Sequence, residues 1–187
     1  MRYLFILFLL FATPIFARTN IAPDGTASGS ITGSPSTTVG LISHVNDDVL
    51  ITKYGFQEYA QSKTFVLTAE IDLGADTAIS GVAVVHQGAT DDFGELPNSA
   101  DYSWVVSTKP DGGSYSTFYS GNKSLGQQDS FDQTDAQDSN RTVRYVKIVT
   151  NVTSSIPQVY VVAVEYLVNE IKIWDATGTA AGYAFIM

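Results

Sequence analysis

The chain has 187 residues, no cysteine and two histidines, and its 19 acidic against 10 basic residues give a net charge of −9. Without cysteine it can hold no disulfide, iron–sulfur cluster or thiolate zinc site, and two histidines cannot make a three-histidine metal centre. The acidic balance makes nucleic acid a poor partner, because phosphate contacts need clustered Lys and Arg, and leaves cations and neutral ligands such as sugars open.

In chain order, residues 1–17 read first as a secretory signal peptide. Arg2 supplies the positive start, residues 4–12 are an unbroken apolar run, and Ala17 offers a small residue for cleavage. The run is shorter than the roughly 20 residues a spanning helix needs. No later stretch is long and apolar enough to cross a bilayer. The expectation is a chain secreted or held at a cell surface, with residues 18–187 as a single domain large enough to bury its own core.

Beyond the leader, period-two alternation takes over. Residues 66–73 put Leu67, Ala69, Ile71 and Leu73 on one face and Thr68, Glu70 and Asp72 on the other, the pattern of a half-buried strand. Residues 79–86 follow, with Val82, Val84 and His86 on one parity. Trp104 and Val106 mark a third strand, which ends before the turn Lys109-Pro110-Asp111-Gly112-Gly113. Residues 116–119 make a short fourth, and 144–149 a fifth with Val146 and Ile148 inward. Residues 159–168 and 171–174 close the domain. Their parity changes between Val168 and Ile171, which predicts a bulge near Asn169-Glu170. Residues 87–101 and 127–140 read as long acidic loops, the second carrying Asp132, Asp135 and Asp138. Trp104 and Trp174 read as core. No stretch keeps a helical apolar period, so the pattern implies an all-β sandwich or barrel.

Chemistry-bearing motifs are sparse. There is no G-x-S-x-G and no phosphate-binding glycine loop. Ser120-Gly121-Asn122-Lys123 fits S-x-x-K but lacks its companion motifs. The sequons at Asn122, Asn140 and Asn151 read as chance matches in a chain rich in Ser and Thr.

Several local words, in order, carry a resemblance. They are Asn20-Ile21-Ala22 with Ala27-Ser28, Val45-Asn46-Asp47-Asp48, and Glu70-Ile71-Asp72-Leu73-Gly74 with Ile79-Ser80-Gly81-Val82. Then come Val106-Ser107 with Asp111-Gly112-Gly113, Arg144-Tyr145-Val146-Lys147-Ile148, and Glu170-Ile171-Lys172-Ile173-Trp174. Together they resemble the discoidin or coagulation-factor type C module, within the galactose-binding jelly-roll group and similar to family 32 carbohydrate-binding modules. The resemblance spans residues 20–174. Asp48 stands where the family has glycine, and no cysteine pair joins the ends.

The resemblance implies an antiparallel β-sandwich of jelly-roll type. It also implies a structural calcium ion near the Asp47 loop and the last strand. Asp47 and Glu170 are its side-chain candidates, with Thr52 as a loop ligand and Asp48 adding an oxygen the family lacks. Calcium takes six to eight oxygens, so carboxylates mixed with loop carbonyls suit it. For a glycan ligand, the loops offer His44, Asn46, Tyr54, Phe56, His86, Asp92 and Phe93, since an aromatic ring stacks on a pyranose while polar groups take its hydroxyls. The expected function is an exported, non-catalytic carbohydrate-binding module. The alternative is a self-associating structural subunit of an extracellular or cell-surface assembly built on the same sandwich.

Overall fold

The computed structural model describes residues 18–58, 63–92, 99–126, 128–155 and 162–176. The leader reading at 1–17 and Phe93 lie outside the described residues. Eight strands carry the chain: β1 (Thr26–Thr32), β2 (Thr37–Gly40), β3 (Tyr54–Glu58), β4 (Thr64–Asp92), β5 (Ser99–Lys109), β6 (Ser116–Leu125), β7 (Ser130–Ser155) and β8 (Val162–Asp175). Two 3-10 turns, Ala22–Asp24 and Ile42–Asn46, complete the regular structure.

All pairings are antiparallel, and β4 and β7 are long enough to serve two layers. Residues 64–72 of β4 pair with β1 and with the second half of β7, which β5 and β6 extend into a front layer. Residues 79–92 of β4 pair with β8 and with the first half of β7, and β3 and β2 extend this back layer. The register slips between Asp72 and Thr77 and again between Ile79 and Gly81, where β4 turns the corner. Gly74 makes that turn possible: its φ is +80°, and its N–H donates to the Asp72 carboxylate at 2.8 Å.

The core fills the space between the layers. Leu67, Ala69, Ile71, Val82, Val84, Trp104, Val106, Val146 and Ile148 are buried on the faces their alternation assigned. Aromatic contacts bridge the layers: Phe56 of β3 meets Phe65 of β4 at 4.8 Å, and Trp104 of β5 meets His86 of β4 at 4.5 Å. Such ring pairs add modestly to the area they bury.

The bulge lies where the parity change put it. Val85 pairs with Glu170 and His86 with Val168, so Asn169 is left over. Three expectations need correction. Residues 127–140 are not a loop, because 130–140 are the first half of β7. That half has a neighbour on one side only, so its alternation carries polar side chains toward water, and its aspartates guard an open edge. Residues 87–92 likewise continue β4, and 99–101 open β5. Trp174 is only half-buried on the outer face, with the Arg18 guanidinium 5.0 Å from its ring.

The registers also define two ends. Asp92 with Val162, Thr64 with Thr153, Ser99 with Ser155, and Ala100 with Leu125 all meet at one end. The strand ends that lead from β1 to β2, β3 to β4, β4 to β5, β6 to β7 and β7 to β8 therefore all lie there. The opposite end holds Asn20 bridged to Trp174, the corner of β4 and the connection 110–115.

Candidate functional site

The acidic candidates meet on the outer face of the back layer. Residues paired across a ladder share a face. Val164, Tyr166, Val168, Ile171 and Ile173 of β8 pair with inward residues of β4, whereas Glu170 pairs with Val85 and projects outward. It is nevertheless fully buried, because the turn Ile42–Asn46 and the loop after it cover this stretch of β8. The loop is pinned from several sides. Asn46 Nδ2 donates to the Ala22 and Gly25 carbonyls, both at 3.0 Å. Asn169 Nδ2 donates to the Leu50 carbonyl at 3.1 Å. Only glycine fits at Gly40, where φ is +70° and an added Cβ would stand 1.8 Å from the Lys53 carbonyl oxygen.

Asp47 organises the turn itself. Its carboxylate accepts the Val49 N–H at 3.0 Å and the Thr52 hydroxyl at 2.8 and 2.9 Å. Asp48 follows with φ +58°, a left-handed conformation that asparagine and aspartate tolerate better than most residues. The backbone there explains why the resembling family has glycine. Asn20 Nδ2 donates to Asp48 Oδ1 at 3.3 Å.

Glu170 is the anomaly. The Glu170 carboxylate has no side-chain hydrogen-bond partner, only the Asp48 backbone N–H reaching toward it, and the Asn169 Oδ1 beside it has none. Burial first, then the charge of Asp48, pushes the Glu170 carboxyl up to about 7; Asp47 adds to this, and Lys172 and the Asp48 backbone N–H oppose it. Glu170 is thus a buried carboxyl on which the charges of Asp47 and Asp48 both act. Among the described residues no three acidic or histidine side chains already stand arranged to hold a metal. A cation here would therefore draw on neutral oxygens as well, which is how calcium binds.

The glycan candidates are not brought together, and four are corrected. Phe56 is wholly buried against Phe65. Tyr54 pairs with inward Val168 and is buried too, which raises its pKa. His86 lies between the layers, with Nδ1 2.9 Å from the Tyr166 hydroxyl and Nε2 3.1 Å from Asp135. Burial lowers its pKa against the pull of Asp135. Asn46 spends its amide on the chain entry, as above. These four build the core and brace the loop rather than face a ligand. His44 is half-buried in the turn, and the Leu41 N–H donates to its Nδ1 at 3.3 Å. Asp92 closes β4 at the end where the strand ends of the five connections lie.

That end has rigid roots. Glu58 is buried and accepts the Ser36 N–H at 2.9 Å and the Ser36 hydroxyl at 2.7 Å, with Lys63 Nζ at 3.5 Å. The Tyr102 hydroxyl donates to the Ala89 carbonyl at 2.8 Å, and the Thr90 hydroxyl donates to the Gly126 carbonyl. Sequence reasoning missed Asn20, Asn169 and Glu58 as organisers. For Asn169 a signal existed, since the parity break falls on it.

No protein-family model matches the chain, and no curated protein matches it. Solved structures do. A chitosan-binding module 1 variant from a chitosanase/glucanase of Paenibacillus sp. IK-5 aligns at TM-score 0.51 and 18% identity, covering 84% of this chain and 99% of that one. The Clostridium perfringens module CpGH89CBM32-4, in complex with GlcNAc-α-1,4-galactose, aligns at TM-score 0.51 and 15% identity, covering 85% and 95%. The fold is that of the family 32 carbohydrate-binding modules. Within this discoidin-like jelly roll, Glu170 lies on the outer side of the back layer, apart from the loop end.

Proposed function

We propose that this chain is an exported, non-catalytic carbohydrate-binding module whose Asp47 loop is held down by calcium. The observation that carries the binding reading is that the strand ends of five connections lie at one end of the sandwich, pinned there by buried polar groups. Rigid roots beneath variable loops are the usual setting for ligand recognition. The solved modules of the same fold are named for binding chitosan or are complexed with GlcNAc-α-1,4-galactose, so chitosan oligosaccharides and galactose-terminated glycans are the first probes. The test is a glycan array with the exported chain in calcium buffer. Selective retention of one sugar class supports the reading, and a blank array with folded protein overturns it.

The buried Glu170 carboxyl, with the charges of Asp47 and Asp48 acting on it, supports the calcium component. Asp47, Asp48, Thr52 and Glu170 are the residues that would hold the ion. Calcium would neutralise charges that otherwise repel one another, and so stabilise the loop. A melt with calcium and with chelator reads this directly. Identical midpoints would exclude it.

One observation favours the assembly reading. Leu41, Val49, Leu50 and Ile51 are 65%, 41%, 51% and 85% exposed, and all lie on the same loop region. Exposed apolar residues concentrated like this mark contact surfaces more often than chance. Light scattering of the wild type and Ile51→Asp distinguishes the readings. A wild-type oligomer that the variant dissolves supports an assembly, and a wild-type monomer removes it.

A further inference from the structure

The outer face of the front layer carries a second arrangement that neither the loop end nor the acidic group around Glu170 uses. On β7, Val146 and Ile148 point inward, so Tyr145 and Lys147 face out. The ladders set Lys147 between Glu70 and Ser107, and Tyr145 between Asp72 and Lys109. Tyr115, from the connection between β5 and β6, reaches back across this face and donates its hydroxyl to Glu70. Its ring therefore lies over Lys147, whose Nζ is 3.5 Å from the ring centre. Lys109 Nζ sits 4.8 Å from the same ring and 4.3 Å from that of Tyr145. Arg144 lies 5.0 Å from the Tyr145 ring on the far side. Three cations and two rings thus alternate along one row.

The nearby carboxylates are already engaged. Glu70 takes the Tyr115 hydroxyl. Asp72 takes Arg144 at 2.8 and 3.1 Å, and Asp111 takes the same guanidinium at 3.2 Å. Asp76 accepts the Asp111 N–H at 2.7 Å. Lys109 and Lys147, by contrast, form no close ion pair among the described residues, although Lys109 acts on the Asp72 charge and Glu70 stands opposite Lys147 in the ladder. Each ammonium is steadied by a ring and keeps N–H donors for another partner. The two lysines hold charge beside an aromatic ring whose underside rests on Lys147. A ligand that satisfies both features has an anionic group for the ammoniums and a hydroxylated ring for Tyr115.

We propose that this face is a binding site for an acidic saccharide, one whose carboxylate or sulfate group meets Lys109 and Lys147 while its pyranose ring packs against Tyr115. The surrounding aspartates disfavour a bare polyanion such as nucleic acid, since only two of the cations lack a close ion pair. The site stands apart from the loop end, so it holds or fails independently of the neutral-sugar reading.

The test is calorimetric titration of the exported chain with oligogalacturonate, with a sulfated oligosaccharide of equal length, and with a neutral chitosan oligosaccharide. Acidic saccharides should bind, and affinity should fall as salt rises from about 0.05 M to about 0.5 M. Lys109→Ala with Lys147→Ala should lower that affinity ~10-fold or more, and Tyr115→Ala should do much the same. Tyr115→Phe, which keeps the ring but frees Glu70 opposite Lys147, should lose less affinity than Tyr115→Ala. Binding of a neutral glycan at the loop end should not change in any of these variants. Preference between the carboxylate and the sulfate ligand identifies the anion. No binding of either, or binding that the folded double lysine variant retains, would overturn the proposal. A neutral glycan that loses affinity in the same variants would overturn it too, by merging the two sites.

Discussion

Glu170→Gln turns the buried carboxyl into a measurement. Moving a carboxyl from its ordinary 4.5 to about 7 amounts to about 3 kcal/mol of differential proton binding. The sign follows from which state holds the proton more tightly. The folded chain does, so stability is full below 4.5, falls as pH rises from 4.5 to about 7, and is lowest above that. Glutamine has the shape of the protonated acid and never ionises. In chelator at pH near 8, the variant should therefore exceed the wild type by about 2–3 kcal/mol, a rise in Tm of roughly 5–10 °C for a domain of this size. Urea melts across this pH range, in chelator, are the assay. The wild type should lose stability between 4.5 and 7, and the variant should lose less. Calcium should reverse the ranking, because only the wild type regains what the ion neutralises. A variant no more stable than wild type at pH 8 in chelator would refute the reasoning, since the carboxylate would then be adequately solvated or paired.

Other outcomes follow from the same geometry. Asp48→Gly removes both a left-handed non-glycine residue and a charge beside Glu170, so the chelated protein should gain about 1 kcal/mol in urea. The same substitution should bring the Glu170 carboxyl closer to its ordinary range, readable by carbon-13 NMR titration. Asn46→Ala leaves the Ala22 and Gly25 carbonyls without their donor and should lower stability by about 1–3 kcal/mol, with faster amide exchange in the loop above β8. His86 acts at acid pH. Burial holds its folded pKa below the ordinary 6.5, so its contribution is present above 6.5 and is lost as pH falls. Urea melts at pH 5 and 7 should show a smaller acid-side loss in His86→Leu than in the wild type, whatever the absolute stability of the variant.

The strands were legible wherever one face was apolar and the other polar. Residues 66–73 and 79–86 have neighbours on both sides and a core beneath them, so burial imposed the alternation that the sequence displays. Residues 130–140 were misread because their half of β7 has a single neighbour and faces water. The physics that makes an edge strand safe, charge in place of apolar residues, also makes it look like a loop. The candidate site divides the same way. Asp47, Thr52 and Glu170 were named through a family resemblance; the structure joins Asp47 and Thr52 by hydrogen bonds in one turn and buries Glu170. Phe56, Tyr54 and His86 misled because aromatic character does not distinguish a stacking platform from a core residue. Only the pairing with Tyr166, Val168 and Val168 again across β3 and β4 reveals which way they point. Long-range register of this kind is not encoded in any short window.

The bulge at Asn169 links architecture to site and permits a sharper test. On either side of it the ladder is regular: Val85 with Glu170, His86 with Val168. Deleting Asn169 therefore joins two stretches that already have consecutive partners, and it leaves every other pair of β8 in register. Deletions inside strands usually turn side chains to the wrong face, whereas this one removes the irregularity itself. The deletion loses the bond from Asn169 to the Leu50 carbonyl, about 1 kcal/mol. It also loses the local kink that seats Glu170 beneath the loop. The expected protein keeps its far-ultraviolet circular dichroism and melts a few degrees lower, and calcium no longer raises its midpoint. Asn169→Ala, which retains the extra residue, should melt lower by a similar amount yet keep most of the calcium response. If the deletion variant folds and responds to calcium as the wild type does, the bulge does not build the site, and the burial of Glu170 must come from the covering loop alone.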